Sequence, residues 1–169
     1  IYLEMPMMGG SGPYRDFRGY GLSIAAASGL FALSGYPDGE PVGTGTNYPD
    51  HVPNPLHGAI AVLAALLRRR RTGEGCYIEL AQLESTANVI GPALIAAAAG
   101  QPVERAGNDD PVAAPHGVYP CAGDDRWCAI AVTTDAEWRT LARVLGLPEA
   151  DELATAAGRR AARRELDRL

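Results

Sequence analysis

Apolar and polar positions along the first hundred residues predict strands and helices that follow one another in turn. Gly91 and Pro92 interrupt the last predicted helix, so we expect a kink or a break there. Alternating strands and helices are typical of a parallel sheet covered by helices, which indicates an α/β fold. The predicted elements are a strand over residues 1–8, a helix over 22–33, a long helix over 54–71, a strand over 76–80 and a helix over 81–99.

The long helix has clear signals at both ends. Asn54 is a good N-cap, Pro55 suits the first helical position, and Gly73 supplies the C-terminal stop. Four arginines, Arg68–Arg71, lie in the last turn, where cations complement the helix dipole. We interpret them mainly as a solvated helix end, with phosphate binding as a secondary role. One apolar stripe runs along the helix, formed by Leu56, Ile60, Leu63 and Leu67.

The composition changes after the last of these helices. Residues 101–115 are rich in Gly, Pro, Asn and Asp, so we predict a linker there between residues 1–100, part of a large domain, and residues 116–169. The second part begins with a β-hairpin that turns through Gly-Asp-Asp. Thr134 and Glu137 then form a capping box at the start of a helix. We interpret residues 116–169 as the beginning of a small α+β domain.

The overall composition argues against some classes of function. The chain has 169 residues, a net charge of -5 and 47% hydrophobic residues, as expected of a globular domain. The acidic balance argues against non-specific binding to nucleic acid, and no apolar run reaches the roughly 18 residues that a membrane span needs. Three cysteines without CxxC spacing indicate reduced thiols in a cytoplasmic protein, packed as small hydrophobic side chains. Both ends fall within predicted elements, so we expect an internal piece of a longer protein.

Asp50 is the leading candidate for chemistry. It lies between Pro49 and Pro53, just before the long helix, where a carboxylate can accept backbone N–H groups. An oriented carboxylate can act as a nucleophile, whereas the alternative role is a simple helix cap. His51 and His57 are candidates for a general base or a metal ligand. Three scattered histidines without an acid cluster argue against a metal site.

Short segments over nearly the whole chain, taken together, carry a resemblance to a known family. The chain resembles the class III coenzyme A transferases, the family of formyl-CoA transferase and carnitine CoA-transferase. The segments are Gly10–Tyr14, Arg18–Gly21, Ala27–Leu30, Ser34–Gly39, Tyr48–Asp50, Leu63–Leu66, Arg70–Gly75, Pro115–Tyr119, Asp125–Trp127 and Asp135–Trp138.

The resemblance implies a Rossmann-like large domain and a specific chemistry. Family members move coenzyme A between an acyl-CoA and a carboxylic acid through an aspartyl anhydride and an aspartyl-CoA thioester. Asp50 takes the nucleophile's place, and Arg18, Gly19 and Tyr20 match a segment that contacts coenzyme A. One more residue separates this Asp from the helix than in the familiar transferases. An ungapped alignment therefore aligns His51 with the nucleophile, and we keep His51 as an auxiliary candidate.

The resemblance also implies the partners. Coenzyme A is a substrate, and no cofactor is permanently bound. Family members form interlocked homodimers, and an isolated 169-residue piece would be inactive. Two alternatives stay open: an acyl-CoA racemase or epimerase of the same superfamily, and a non-catalytic binding or assembly module. Tyr20 stands where the racemases have a His, and Gly21 where many transferases have an acid.

Overall fold

The computed structural model describes residues 1–147, 151–162 and 166. It divides into two compact units, Ile1–Arg105 and Ala106–Leu169. The elements of the first unit are β1 (Tyr2–Glu4), α1 (Gly21–Ala27), α2 (Tyr48–His51), α3 (Pro53–Thr72), β2 (Tyr77–Glu79), α4 (Gln82–Ala87) and α5 (Gly91–Ala98). Those of the second are β3 (His116–Pro120), β4 (Trp127–Ala131), α6 (Asp135–Leu145) and α7 (Ala156–Ala161). Single 3₁₀ turns lie at Phe31–Leu33, Asn88–Ile90 and Asp151–Leu153.

The first unit contains a parallel pair of strands. β1 pairs with β2 in register, with Leu3 opposite Ile78. Parallel strands need a crossover connection, which here contains α1, α2 and α3. The predicted α/β class is confirmed. Because the described part of the chain shows two strands in this sheet, the Rossmann-like order stays a prediction.

The paired strands also meet through their side chains. The rings of Tyr2 and Tyr77 stack with their centroids 5.5 Å apart. The Tyr77 hydroxyl donates a hydrogen bond to the Glu4 carboxylate. That hydrogen bond is the main reason that the pKa of Tyr77 is raised to about 12.

Helix α3 begins earlier than the sequence predicts. Its N-cap is Val52, which makes no side-chain cap, and Pro53 opens the first turn. Asn54 is therefore inside the helix and 1% exposed, so the prediction of an Asn54 cap is wrong. At the other end Gly73 adopts the left-handed conformation, with φ of 76°, which confirms the predicted stop.

The closest approach of α3 to the first strand is made at a residue without a side chain, Gly58. Gly58 and Ala65 are buried, and a Cβ on Gly58 would lie 3.5 Å from Leu3 Cδ2 and from Met5 Sδ. The helix therefore lies close to β1. The apolar stripe is exposed: Leu56 58%, Ile60 64%, Leu63 60% and Leu67 61%.

Two predicted helices are shorter in the structure because local groups end them. Helix α1 stops at Ala27, after which the Ser28 hydroxyl donates to Ala25 O at 3.1 Å and Gly29 takes a φ of 87°. The predicted interruption at Gly91 is confirmed, since a 3₁₀ turn separates α4 from α5. Pro92 lies in the first turn of α5, where its missing N–H breaks no helical hydrogen bond.

The second unit begins with the predicted hairpin. β3 and β4 are antiparallel, with His116 opposite Ala131. Thr134 caps α6 by accepting the N–H of Glu137, whose carboxylate accepts the N–H of Thr134 in return, so the capping box is confirmed. Hydrogen bonds from the backbone and hydroxyl of Thr133, followed by the Thr134 backbone, lower the pKa of Glu137.

Parts of the predicted linker, residues 101–115, are held by hydrogen bonds within one or the other of the two units. Arg105 closes the first unit, where its guanidinium donates to Gly39 O at 2.6 Å and to Tyr36 O at 3.3 Å. In the second unit the Asp110 carboxylate accepts the N–H groups of Val112 and Ala113, both at 2.8 Å, which lowers its pKa. The units divide between Arg105 and Ala106, inside the predicted linker. The domain assignments stay predictions.

Arg159 organises the second unit although nothing in the sequence singled it out. Its side chain is fully buried and lies over the Trp138 ring, 5.5 Å from the centroid. Nη2 donates to Asp135 Oδ1 at 2.9 Å, and the other guanidinium nitrogens donate to backbone carbonyls. The carbonyls belong to Ala114, Leu153 and Ala154. The predicted unfinished terminal helix lies partly in residues 148–150, 163–165 and 167–169, outside the described residues.

Candidate functional site

Asp50 lies on a single helical turn, α2, directly before α3. Asn47 O accepts the N–H of Asp50 at 2.9 Å and that of His51 at 3.2 Å. Pro49 is fully buried within this turn. The Asp50 side chain is half-buried, so the turn holds a carboxylate in place while leaving it reachable.

The hydrogen bond that orients Asp50 comes from a different helix than expected. The N–H of Gly21, the first residue of α1, donates to Asp50 Oδ2 at 2.8 Å. From the sequence we expect donors in the helix that follows Asp50. The role of Gly21 becomes visible only in the structure, where α1 and α2 meet. A Cβ on Gly21 would lie 2.9 Å from Asp50 Oδ2 and 3.0 Å from Asn47 Cα. The approach therefore requires glycine.

The predicted coenzyme A segment leads directly into this hydrogen bond. Arg18, Gly19 and Tyr20 are exposed and immediately precede Gly21. Tyr20 is extended, with φ of -109° and ψ of 179°, and its side chain is 79% exposed. A Cβ on Gly19 would lie 3.0 Å from Met7 Sδ, so the backbone at Gly19 lies close to the Met7 side chain. The predicted coenzyme A segment, Arg18–Tyr20, thus lies directly before the residue that binds the predicted nucleophile, Asp50.

The three histidines bind three separate partners. His51 is exposed, and its Nδ1 lies 3.1 Å from Thr46 Oγ1. His57 Nδ1 lies 2.6 Å from Ser85 Oγ, and His116 Nδ1 accounts for a third hydrogen bond, to Asn108 O. Among the described residues, no group of three or more His, Cys, Asp or Glu side chains could hold a metal ion.

Two pairs of polar side chains, Asn54–Gln82 and His57–Ser85, join α3 to α4 and are here called the polar seam. Asn54 Nδ2 donates to Gln82 Oε1 at 3.1 Å, and Gln82 Nε2 donates to Met5 O at 2.7 Å. The His57–Ser85 pair lies one turn further along both helices. Sequence reasoning missed this seam, because the residues of each pair are 28 positions apart. The seam fixes the start of α3, directly after Asp50.

Two segments with groups that could bind phosphate, the glycine-rich turn at residues 9–13 and the arginine run, have protein partners. The N–H of Gly10, in the glycine-rich turn, donates to Glu79 Oε1 at 2.8 Å. In the arginine run, Arg68 forms an exposed ion pair with Glu74 at 2.6 Å. Both observations fit the structural interpretation of these segments. In the described part of the chain, every helix is too short or too polar to cross a membrane.

Comparisons with known proteins give relatives of one kind. The chain is 33% identical to the succinate–glutarate CoA-transferase of Agrobacterium fabrum, with 87% of the chain and 36% of that protein aligned. It is 37% identical to the succinyl-CoA–L-malate CoA-transferase beta subunit of Chloroflexus aurantiacus, with 88% of the chain and 37% of that protein aligned. A crystal structure of a CAIB/BAIF family protein from Brucella suis matches with a TM-score of 0.87 and 31% identity, covering 99% of the chain and 45% of that protein.

The curated relatives are much longer than the region that matches. The chain spans between 18% and 38% of the length of the curated relatives that it matches. The model of the CoA-transferase family III matches residues 1–169. The chain belongs to the CoA-transferase family III.

Proposed function

We propose that this chain carries the nucleophile of an enzyme that moves coenzyme A from an acyl-CoA to a carboxylic acid. Asp50 is that nucleophile in our account. The observation that supports it best is the Gly21 N–H on Asp50 Oδ2 at 2.8 Å, directly after the segment that resembles a coenzyme A contact. The relatives named above are CoA-transferases, which agrees with this class of reaction.

The first half of the reaction forms and then opens an anhydride. Oδ1 of Asp50, the oxygen away from Gly21, attacks the thioester carbonyl carbon. The C–S bond breaks, and coenzyme A leaves as a thiolate. The thiolate then attacks the aspartyl carbonyl carbon, which releases the donor carboxylate and leaves coenzyme A as a thioester on Asp50.

The second half repeats these steps with the acceptor. The acceptor carboxylate attacks the aspartyl thioester, displaces the thiolate and forms a second anhydride. The thiolate attacks the acceptor's carbonyl carbon, which gives the new acyl-CoA and restores the Asp50 carboxylate. No net proton transfer or oxidation is needed.

Gly21 has a defined role in this sequence of steps. Once Oδ1 has become the bridging oxygen, Oδ2 is the aspartyl carbonyl oxygen. Negative charge develops on Oδ2 whenever a nucleophile attacks the aspartyl carbonyl carbon, and the Gly21 N–H already donates to that oxygen. A donor placed in advance at a developing oxyanion is the arrangement that lowers such barriers most.

The adjacent segment supplies the groups that we assign to coenzyme A. Arg18 is exposed, and its guanidinium can form two parallel hydrogen bonds with the diphosphate. Gly19 and Tyr20 follow, and the exposed Tyr20 ring suits the wall of a channel for the pantetheine arm. The thioester end of the arm would then lie near Asp50. His51 faces Thr46 and is the auxiliary candidate.

Paired substitutions in the intact protein test the nucleophile. Asp50→Asn keeps the shape of the side chain but removes the nucleophilic charge, so CoA transfer should fall to the uncatalysed level. His51→Gln is the matched control and should retain most of the activity, because His51 contacts Thr46. Loss of activity in His51→Gln with activity retained in Asp50→Asn would overturn the assignment.

Two measurements separate the alternative functions. An acyl-CoA racemase or epimerase would exchange the α-hydrogen of a 2-methylacyl-CoA with deuterated water, and we expect no exchange. A binding or assembly module would show no CoA transfer for Asp50→Asn to remove. Tyr20 supports the transferase because it offers a phenol and not an imidazole base.

We further propose an interlocked homodimer, which the family resemblance supports, and a cytoplasmic location, which the free cysteines support. Coenzyme A enters and leaves as a substrate, and the account requires no permanently bound cofactor, nucleic acid or membrane. The mass of the intact protein in solution, measured by light scattering, tests the dimer. A monomeric mass with full activity would contradict it.

A further inference from the structure

Two cysteines lie on one face of the hairpin in the second unit. Tyr119 is opposite Cys128, and Pro120 is opposite Trp127. The N–H of Cys121 donates to Arg126 O at 2.7 Å, so the pairing continues one residue beyond β3. Since side chains alternate along a strand, Cys121 lies on the same face as Cys128, as its diagonal neighbour.

The turn between the strands holds the two cysteines near each other. Gly123 and Asp125 have positive φ angles of 113° and 45°, and the Asp125 carboxylate accepts the Trp127 indole N–H at 2.9 Å. These features close the four-residue turn tightly. The Cys128 thiol is the main influence on the Cys121 thiol, and both are free thiols. Cys121 is exposed, whereas Cys128 is half-buried.

We propose that Cys121 and Cys128 are an oxidisable dithiol, which a soluble disulfide such as glutathione disulfide converts into a cross-strand disulfide. The proposal is independent of the proposed function, since Asp50 and Gly21 belong to the first unit.

The reaction proceeds by thiol–disulfide exchange in two steps. The exposed Cys121 attacks glutathione disulfide as a thiolate, which forms a mixed disulfide and releases one glutathione. Cys128 then attacks the Cys121 sulfur, which forms the cross-strand bond and releases the second glutathione. The two protein thiols lose two electrons and two protons, and glutathione disulfide takes up the electrons. Excess dithiothreitol reverses both steps.

The Cys128 thiol also determines how the rate depends on pH. As the neighbour of Cys121, it raises the pKa of the Cys121 thiol. The attacking thiolate is therefore scarce at neutral pH, and the first step should become faster as the pH rises. Cys121 alone, in a Cys128→Ser variant, lacks this partner and should react faster than the native residue at neutral pH.

Peptide mapping of the whole chain tests the dithiol. Trypsin cleaves after Arg105, Arg126 and Arg139, so Cys121 and Cys128 fall in different peptides. After treatment with glutathione disulfide we expect peptides 106–126 and 127–139 to be joined by a bond that dithiothreitol breaks. Cys76, in the first unit, is the internal control and should stay a thiol or carry glutathione by itself.

Thiol counting and serine variants provide the second measurement. The denatured chain should lose two of its three thiols to the cross-link. Cys121→Ser and Cys128→Ser should each give only mixed disulfides with glutathione, whereas Cys76→Ser should cross-link like the native chain. Separate glutathionylation of Cys121 and Cys128 in the native chain, or a cross-link that includes Cys76, would overturn the proposal.

Discussion

Substitutions of Gly21 test the link between local structure and catalysis at Asp50. Gly21→Ala adds only a Cβ, whereas Gly21→Pro adds a Cβ and removes the N–H that reaches Asp50 Oδ2. Proline suits the first position of a helix, and Tyr20 already has the extended conformation, with ψ of 179°, that a residue before proline adopts. Proline also places its ring Cδ where the N–H pointed, towards Asp50 Oδ2. The difference between the two variants therefore reports on the lost N–H together with the displacement of Asp50 by the ring.

The geometry gives the expected magnitudes. An alanine Cβ would lie 2.9 Å from Asp50 Oδ2 and 3.0 Å from Asn47 Cα, about half an ångström inside normal contact. Relieving such overlap costs about 1–3 kcal/mol, more than the roughly 1 kcal/mol that alanine gains over glycine in a helix. We expect Gly21→Ala to lose up to about 2 kcal/mol of stability. A displaced carboxylate should lower kcat/KM roughly tenfold, which corresponds to about 1.4 kcal/mol.

Removal of the N–H should have the larger catalytic effect. The loss of one oxyanion donor typically lowers kcat by about 10²–10³, so the kcat of Gly21→Pro should be lower than that of Gly21→Ala by roughly that factor. Steady-state CoA transfer by the intact protein measures this, with helicity by circular dichroism as a check on folding.

Gly91→Ala is the matched control for this series. Gly91 is also the first residue of a helix, and a Cβ there meets no atom within 4 Å. Its activity should be unchanged. Equal activities for Gly21→Ala and Gly21→Pro would refute the role of the N–H, and native activity in both would refute the account of the site.

Two further predictions concern the second unit. Arg159→Met leaves the buried Ala114 carbonyl and the part-buried Leu153 carbonyl without a donor and should lower the free energy of unfolding by about 1–3 kcal/mol, with Arg159→Lys recovering part of the loss. The fluorescence of buried Trp138 reports the unfolding transition, and an unchanged midpoint would contradict the prediction. Glu137 has a lowered pKa in the folded state, so its contribution to stability is present at neutral pH and is lost as the pH falls below the ordinary value of 4.5. Glu137→Gln should therefore flatten the loss of stability in acid, and an unchanged acid profile would show that the ionisation of Glu137 contributes nothing to stability.

The elements that local chemistry specifies were predictable from the sequence. The capping box at Thr134, the stop at Gly73 and the break at Gly91 each depend on a few adjacent residues, and the structure confirms them. The hairpin follows from alternating side chains on either side of a polar turn, and the structure confirms it as well. Family segments along the chain also led to the correct family.

Contacts between distant residues were not predictable in this way. Asn54 has the side chain of a helix cap, yet Val52 and Pro53 start the helix first and leave Asn54 to bind Gln82. Gly21 resembled a simple departure from the family pattern, and its contact with Asp50 spans 29 residues. Arg159 belonged to a run of charged residues, where burial of one arginine depends on carbonyls contributed by other segments.

The exposed stripe of α3 has a similar explanation. An apolar pattern predicts that a helix face is covered, but it does not identify what covers it. In the structure the small face of α3, around Gly58, packs on β1, and Leu63 stays 60% exposed. Close packing of a helix on a strand favours the smallest side chains at the contact, so Gly58 lies nearest β1 and Leu63 stays largely exposed at its edge.

The most direct test of the central claim is to trap the activated carboxylate. The intact protein is incubated with acyl-CoA and then with hydroxylamine, which converts an aspartyl anhydride or thioester into a hydroxamate. Asp50 and His51 lie in the same tryptic peptide, residues 19–68, and fragment ions in the mass spectrometer distinguish the two neighbours. The account predicts a hydroxamate on Asp50 that requires acyl-CoA. A hydroxamate on any other carboxyl group, or an acyl adduct on His51 in a sample not treated with hydroxylamine, would contradict it.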